Sequence, residues 1–319
     1  MKSFFKSILI VFLLFLVLIL ILGYPDVAIN SVLDGINIWM YNVFPALFPF
    51  FILSDLLINY GFVELLSELF KNFMMIFGLN GNASYVLFGS IICGSPSGAK
   101  LTKQLLDDNL ISIDDANHLI RFTHFSNPLF VIGMIGNILL DDIRIGYLIF
   151  ISLVLGNVVI GIIFRRKVSY KKEDISFKNI FISINKKKNT NKKSFINILS
   201  KSIYDSFDIL FLILGIIIVF LIVSNILSLF VINNELLIFI KGILEMTQGV
   251  KMASSSSFNY LFKPSLITFF LAFGGLSVHL QVASIISNTK IKYKNFLVSR
   301  IIHSILSSIL VFILIYLVW

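Results

Sequence analysis

Residues Tyr204 to Ile232 read YDSFDILFLILGIIIVFLIVSNILSLFVI, a run too long and too apolar for a water-soluble domain. A helix needs about 20 residues to cross the hydrocarbon core of a bilayer, and this run exceeds that length. Across the whole chain, 57% of the 319 residues are hydrophobic and only 13% are charged. A soluble domain carries about twice that share of charge, and a β-barrel would show alternating segments of about ten residues. The sequence therefore predicts an all-α polytopic membrane protein.

Positive charge is concentrated in residues 165–201, a segment that contains only two acidic residues, Glu173 and Asp174. The formal net charge of +9 could by itself indicate a nucleic-acid-binding protein. Cytoplasmic loops of membrane proteins are enriched in Lys and Arg, so a basic segment between apolar runs is first a topology signal. We therefore predict that 165–201 is a basic cytoplasmic loop, and we expect no nucleic-acid partner. Binding of this loop to anionic lipid headgroups is an alternative.

The basic loop divides the chain into two halves that follow an N-terminal helix. Residues 1–24 begin with Lys2 and Lys6, and their apolar run exceeds the length of a signal-peptide core and lacks an A-x-A site. We interpret 1–24 as a retained N-terminal transmembrane helix. We predict that 25–164 is a first repeat and that 202–319 is a second.

Each half contains a short apolar arm, a tip of small residues and a polar return arm, a pattern that predicts a re-entrant hairpin. The first hairpin, at about 84–106, has the tip Gly94-Ser95-Pro96-Ser97-Gly98. The second, at about 265–288, has the tip Gly274-Gly275-Leu276-Ser277. Arg-x-x-His follows both, as Arg121 and His124 in the first half and as Arg300 and His303 in the second.

Prolines predict that the second apolar stretch kinks or breaks at Pro45 and Pro49 and that the helix after the first hairpin is broken at Asn127-Pro128. With the N-terminus in the cytoplasm, four spans return the chain to the cytoplasm at Arg165, so the two repeats have opposite orientations. Inverted structural repeats with discontinuous segments are typical of secondary transporters. The same count places the lysines of segment 290–294 outside, against the charge rule.

Candidate substrate-binding residues lie at the hairpins and in the helices that follow them. Arg121 and Arg300 stand in apolar helices, where a charge costs at least about 2.5 kcal/mol and usually faces the bundle interior. A guanidinium binds two oxygens of a carboxylate or phosphate at once. The alternative is that each Arg reaches the membrane interface or pairs with an acid such as Asp55 or Glu245. The candidates are Ser95, Ser97, Gly98, Arg121, His124, Asn127, Glu245, Gln248, Ser277, His279 and Arg300.

The motifs of several enzyme classes are missing from the sequence. It contains no G-x-x-x-x-G-K-[ST] loop, no H-E-x-x-H pair and no G-x-S-x-G elbow. The four histidines and Cys93 do not fall at metal-ligand spacing. We therefore expect a protein that is not an enzyme and has no cofactor, with Na⁺ or H⁺ as a candidate coupling ion. Homo-oligomer formation is left open.

Several long motifs resemble those of a known family. The runs NVFPALFPFFILSDLL, CGSPSGAKLTKQLLDDNLIS, FTHFSNPLFVIGMIG, GILEMTQGVKM and FGGLSVHLQVASI occur in the order found in the YlbJ/SpoVV family of sporulation integral membrane proteins. That family belongs to the nucleoside-recognition (Gate) group, which is similar to concentrative nucleoside transporters. Ser95 stands where the family pattern has an aromatic residue.

The resemblance implies a function in endospore-forming bacteria. It implies a protein of the mother-cell membrane around the forespore that acts in passage of dipicolinate, a flat aromatic dianion. The expected function is therefore a secondary transporter or facilitator of a small organic anion, with the lipid bilayer as its surroundings. One alternative is a nucleoside transporter, and another is a membrane scaffold for spore assembly that transports nothing.

Overall fold

A computed structural model describes residues 2–165, Ile184 and 194–318. Every regular element in these residues is helical. The first half contains α1 (Lys2–Gly23), α2 (Pro25–Ile38), a π-helical turn (Trp39–Val43), α3 (Phe44–Asn59), α4 (Phe62–Met74), a 3₁₀ turn (Met75–Phe77), α5 (Ala83–Cys93), α6 (Ser97–Asp107), α7 (Ile113–Phe122), a π-helical segment (Leu129–Leu139) and α8 (Ile143–Ile163). The second half contains α9 (Phe195–Leu227), α10 (Asn234–Leu244), α11 (Met246–Ser254), α12 (Phe262–Phe273), α13 (Gly275–Ile286) and α14 (Tyr293–Val318).

Four of the described helical stretches are long and apolar enough to cross a membrane. They are α8, α9, the α12–α13 stretch and α14. Two bent helix pairs raise the number to as many as six, one bent by 101° between α1 and α2 and one bent by 83° between α3 and α4. The prediction of an all-α polytopic membrane protein is confirmed.

Helices α2 and α3 form one long element that packs antiparallel to α9. We call the α2–α3 element and α9 together the scaffold pair. Trp39 Nε1 donates to the carbonyl of Leu210 at 2.8 Å, and Asn225 Nδ2 donates to Ser31 Oγ at 2.9 Å. A π-helical turn ends just before α3, whose first turn contains a proline. A proline has no amide hydrogen to donate, so the wider turn joins the two helices without ending the element.

Helices α5 and α6 form an antiparallel hairpin, hairpin 1, whose bounds lie within one residue of the predicted 84–106. A Cβ on Gly89 of the first arm would lie 2.6 Å from Leu101 Cδ1 of the second. Further from the tip, Asn82 Nδ2 donates to the carbonyl of Leu110 at 2.8 Å. Because both contacts join residues at equal distances from the tip, the chain reverses at residues 94–97.

The predicted second hairpin at about 265–288 is wrong, because α12 and α13 continue in one direction along α14. Ser308 Oγ donates to the carbonyl of Ser265 at 2.8 Å, and the rings of His279 and Phe296 are 5.0 Å apart. The antiparallel pairing with α14 therefore runs through the break without reversal. Residues 262–286 form a single broken span of 25 residues.

The reversal in the second half occurs earlier, between α10 and α11, and we call this pair hairpin 2. The backbones of Gly242 and Gly249 touch, with no room for a Cβ at Gly249. Only glycines permit two helix backbones to approach so closely. The chain turns at Glu245, which is extended with φ −142° and ψ 112°.

The loop between α13 and α14 lies at the same end of the bundle as Arg165. Lys292 N donates to Asn117 Oδ1 at 2.8 Å, and the Arg121 guanidinium lies 4.5 Å from the centre of the Phe164 ring. The expectation that the lysines of segment 290–294 lie outside is therefore wrong. Because 262–286 crosses instead of returning, these lysines lie on the same side as Arg165, where the predicted basic loop begins, in agreement with the charge rule. Most of that predicted loop, 165–201, lies outside the described residues.

Candidate functional site

The tip of hairpin 1 lies on the break in the helix that follows it. Helix α7 ends at Phe122, and residues 123–127 are not helical. A Cβ on Gly98 would collide with the carbonyl oxygen of Thr123, and a Cβ on Gly94 would lie 2.6 Å from the amide nitrogen of Asn127. Asn127 Nδ2 donates to the carbonyl of Cys93 at 3.2 Å. The small residues of this tip are thus needed for a close approach between backbones.

The tip of hairpin 2 lies in the same way on the break between α12 and α13. Gly274 and Gly275 have φ values of +89° and +67°, which residues with a side chain rarely adopt. A Cβ on Gly275 would lie 2.9 Å from the amide nitrogen of Met246. Glu245, which is 4% exposed, caps α11 by accepting from the amide of Gln248 at 3.1 Å. Both hairpin tips therefore contact a discontinuous helix.

The two breaks also meet each other, and His124 joins them. Its Nδ1 lies 2.9 Å from Ser95 Oγ at the tip of hairpin 1. Its Nε2 lies on the side of Gly274, 3.0 Å from the position that a Cβ there would take. We call this meeting point the central site, made of the tips 94–97 and 244–246 and the breaks 123–127 and 274–275.

Arg300 is fully buried beside the central site and holds the first break together. Its Nη2 donates to the carbonyl of Arg121 at 2.6 Å and to Asn157 Oδ1 at 2.9 Å. Its Nη1 donates to the carbonyl of His124 at 3.3 Å and lies 2.9 Å from His303 Nδ1. Where α7 ends, backbone carbonyls lose their helical donors, and one guanidinium supplies replacements. No carboxylate forms an ion pair with Arg300 within the part of the chain that the structure describes.

Arg121 does not point toward the central site. Its Nη2 donates to Asn295 Oδ1 at 2.5 Å, and its guanidinium stacks on Phe164 at the end of the bundle. Arg121 is half-buried, whereas Arg300 has no exposed surface. The structure therefore does not bring the two predicted guanidinium groups together.

The remaining predicted residues differ in whether their polar atoms are occupied. Ser97 Oγ donates to the carbonyl of Gly94, within the tip. His279 has both ring nitrogens engaged, Nδ1 with the Tyr293 hydroxyl at 2.8 Å and Nε2 with the carbonyl of Phe273 at 3.1 Å. The second contact caps a carbonyl freed by the second break. Ser277, near the start of α13, is fully buried and its Oγ has no hydrogen-bond partner.

Asn157 was not among the predicted site residues. It is fully buried in α8, where its Nδ2 donates to the carbonyl of His124 at 2.6 Å and its Oδ1 accepts from Arg300. A single amide in an otherwise apolar span is costly unless it is paired. That isolation within LVLGNVVIG was the sequence signal that could have identified it.

The central site is closed in this conformation. A void of about 10 Å³ lies beside it, lined in part by Pro96, Gly98, Thr123, His124 and Phe296. Such a volume holds about one water molecule, so a substrate could enter only after the hairpin tips and the breaks separate. Among the described residues, no group of three or more His, Cys, Asp or Glu is placed to hold a metal ion.

Comparison with known proteins places these elements in a family. The Gate family model, described as nucleoside recognition, matches residues 40–166, which include hairpin 1 and the first break. The sporulation integral membrane protein YlbJ of Bacillus subtilis (strain 168) is 30% identical over 92% of this chain and 79% of its own length. No solved structure matches. The chain is therefore an integral membrane protein that belongs to the YlbJ family of sporulation integral membrane proteins.

Proposed function

We propose that this protein is a secondary transporter or facilitator of a small organic anion, with dipicolinate passing from the mother cell toward the forespore as its substrate. The observation that carries the proposal is the meeting of two hairpin tips with two discontinuous helices inside the bundle. Irregular backbone at membrane depth persists where it is buried in protein or lines a cavity. Backbone donors and acceptors released at such breaks are available to a substrate once the tips separate.

The order of elements supports an inverted repeat with boundaries that differ from the sequence-based ones. A long helix, a hairpin, a broken helix and an unbroken span occur in this order from α3 to α8 and again from α9 to α14, and α4 is an additional helix before hairpin 1. A hairpin returns to its own side of the membrane, whereas the broken helix and the span each cross. With α9 crossing between the hairpins, hairpin 2 enters from the face opposite hairpin 1. The tip of hairpin 1 then corresponds to Glu245, and the break at 123–127 corresponds to Gly274-Gly275.

Charge at the central site supports an anionic substrate through Arg300. This guanidinium is fully buried and has no carboxylate in ion-pair contact within the described residues. A buried positive charge of this kind favours an anion nearby, because apolar surroundings screen the charge less than water does. Its two Nη groups are already bonded to protein atoms, and its Nε is buried without a hydrogen-bond partner among the described residues, so Arg300 acts through its charge more than through direct contact.

A nucleoside is the second candidate substrate, favoured by the match to the nucleoside-recognition model. Ser95, Asn127 and Glu245 at the central site, and Ser277 near it, are polar groups that suit the hydroxyl and ring nitrogen atoms of such a neutral molecule. Glu245 also contributes negative charge, which a dianion would not favour.

Uptake by purified protein in liposomes separates these functions. Labelled dipicolinate and labelled uridine are offered in parallel, with and without Na⁺ and H⁺ gradients. We expect saturable uptake of dipicolinate that excess uridine does not inhibit. Uptake of uridine alone would establish the nucleoside function. Uptake of neither by protein that remains folded would favour a scaffold in spore assembly.

A further inference from the structure

Two lysines attach the two hairpins to the scaffold pair in matching ways. Lys100, on the return arm of hairpin 1, has its Nζ 3.6 Å from Asp55 Oδ1 on α3. Lys241, on the first arm of hairpin 2, donates to Asn225 Oδ1 on α9 at 3.0 Å. In both places the acceptor directly follows a buried serine in the long helix. Both contacts join a hairpin to a long helix, but the two lysines lie on opposite arms of their hairpins, and one acceptor is a carboxylate and the other an amide.

The contact at hairpin 1 is a buried ion pair with few other partners. The side chains of Lys100 and Asp55 are only 8% and 9% exposed. Lys100 Nζ makes no hydrogen bond and lies 4.1 Å from the centre of the Phe51 ring. Gln104 Nε2 donates to Asp55 Oδ1 at 2.9 Å. The carboxylate thus depends on one lysine for charge compensation.

Polar groups from three elements surround Asp55. Helix α6 contributes Lys100 and Gln104, and α5 contributes Tyr85, whose hydroxyl donates to the carbonyl of Ser54 at 2.9 Å. Helix α9 contributes Asp205, a second acid that interacts electrostatically with both members of the pair. Nearby negative charge favours the protonated form of a carboxyl group.

Lys100 and the central site lie on opposite sides of the return arm. Gly98 faces Thr123 at the central site, and two helical positions later the chain has turned about 200°. The ion pair therefore joins hairpin 1 to the scaffold pair without taking part in the central site. If hairpin 1 separated from α3, the ionised Asp55 would lose its compensating charge in a region of low polarity, which is strongly unfavourable. A proton bound to Asp55 removes the carboxylate's part of that penalty.

We propose that Asp55 is a positioning residue that binds a proton and thereby releases hairpin 1 from the scaffold pair, coupling a proton gradient to transport. The step adds one proton from water to the Asp55 carboxylate, and Lys100 remains an ammonium group. Hairpin 2 does not respond, because the amide of Asn225 does not titrate. This inference rests on the proposed transport function.

The test uses Asp55→Asn, which gives hairpin 1 the kind of acceptor that hairpin 2 already has. In one assay, liposomes containing the full chain take up labelled dipicolinate under an imposed gradient of one pH unit. In a second assay, exchange of labelled for unlabelled dipicolinate is measured without a gradient. For one coupled proton, wild-type accumulation should rise by up to about tenfold. Asp55→Asn should exchange dipicolinate at a rate within about twofold of the wild-type rate, and the pH gradient should not raise its accumulation. Asp208→Asn, an exposed acid on α9, serves as the matched control and should keep the full rise.

Asp55→Glu keeps a titratable group and should retain the gradient response with an altered pH profile, which a purely structural role would not produce. A full gradient response in Asp55→Asn would overturn the inference. So would wild-type exchange that ignores the pH gradient, and either result leaves the transport function standing. If wild-type protein neither accumulates nor exchanges dipicolinate or uridine, the proposed function fails first and the inference fails with it.

Discussion

Replacing Arg300 by Lys should destabilise the folded protein, because a lysine cannot make the contacts that the guanidinium makes. Arg300 reaches the carbonyls of Arg121 and His124 and the amide oxygen of Asn157 with two nitrogens. An ammonium group on a single stem can approach one or two of these oxygens. Each oxygen that the ammonium group does not reach would then lose a donor in a buried region.

The magnitude follows from the hydrogen bonds that the substitution removes. A hydrogen bond to a charged group contributes about 1.5–3 kcal/mol, and removing one partner of a buried charged group costs about 3–5 kcal/mol. We therefore expect Arg300→Lys to lower the free energy of unfolding by roughly 3–5 kcal/mol. Arg121→Lys is the matched control, since Arg121 is half-buried and makes one side-chain hydrogen bond and one ring contact. The free energy of unfolding of this control should fall by about 1 kcal/mol.

The difference in stability between the two variants is measured by thermal unfolding in the same detergent. Their abundance in membranes is then compared. Arg300→Lys should melt well below Arg121→Lys and accumulate less. If Arg300→Lys melts with the wild type while its affinity for dipicolinate falls, Arg300 is a direct substrate ligand and the structural account of the first break is incorrect.

Three further outcomes can be measured. Gly98→Ala places a methyl group against the carbonyl of Thr123 and should lose uptake with a destabilisation of about 1–3 kcal/mol, whereas Gly215→Ala meets no atom within 4 Å and should behave as wild type. Glu245→Ala removes the cap of α11 and should lower the melting temperature by an amount equivalent to about 0.5–2 kcal/mol, while Glu245→Gln keeps an acceptor oxygen and should be destabilised less. Single cysteines at Lys290 and Asn234, in a Cys93→Ser background, should react with an impermeant reagent from opposite sides of the membrane; labelling from one side would contradict the crossing of 262–286.

Much of the local structure could be predicted from the sequence. Apolar runs determine which segments cross a bilayer, so the fold class follows from composition and length. The turn at residues 94–97 and the break at Asn127-Pro128 also follow, because glycine and proline change the backbone where they occur. At Gly274-Gly275 the sequence indicated an interruption but predicted a hairpin tip, where the structure has a break within one span. Candidate residues at the central site, among them Ser95, His124 and Glu245, lie where these local signals point.

The direction of the chain after each break depended on the tertiary structure. Small residues permit either a reversal or a continued span, and the choice depends on which distant surface packs against the second arm. At hairpin 1 the arms pack against each other through Gly89, whereas α12 and α13 both pack along α14. The same distinction decided the side of the membrane on which the lysines of 290–294 lie.

The roles of individual charges also depended on tertiary contacts. Arg121 and Arg300 share a sequence pattern, yet one stacks on Phe164 at the bundle end and the other supplies donors to the first break. From the sequence alone, the chain is a helical membrane protein with discontinuities at specific residues, because hydrophobic length and backbone freedom are local properties. Only the tertiary structure decides which discontinuities meet and which buried charges find partners, because those contacts join residues far apart in the chain.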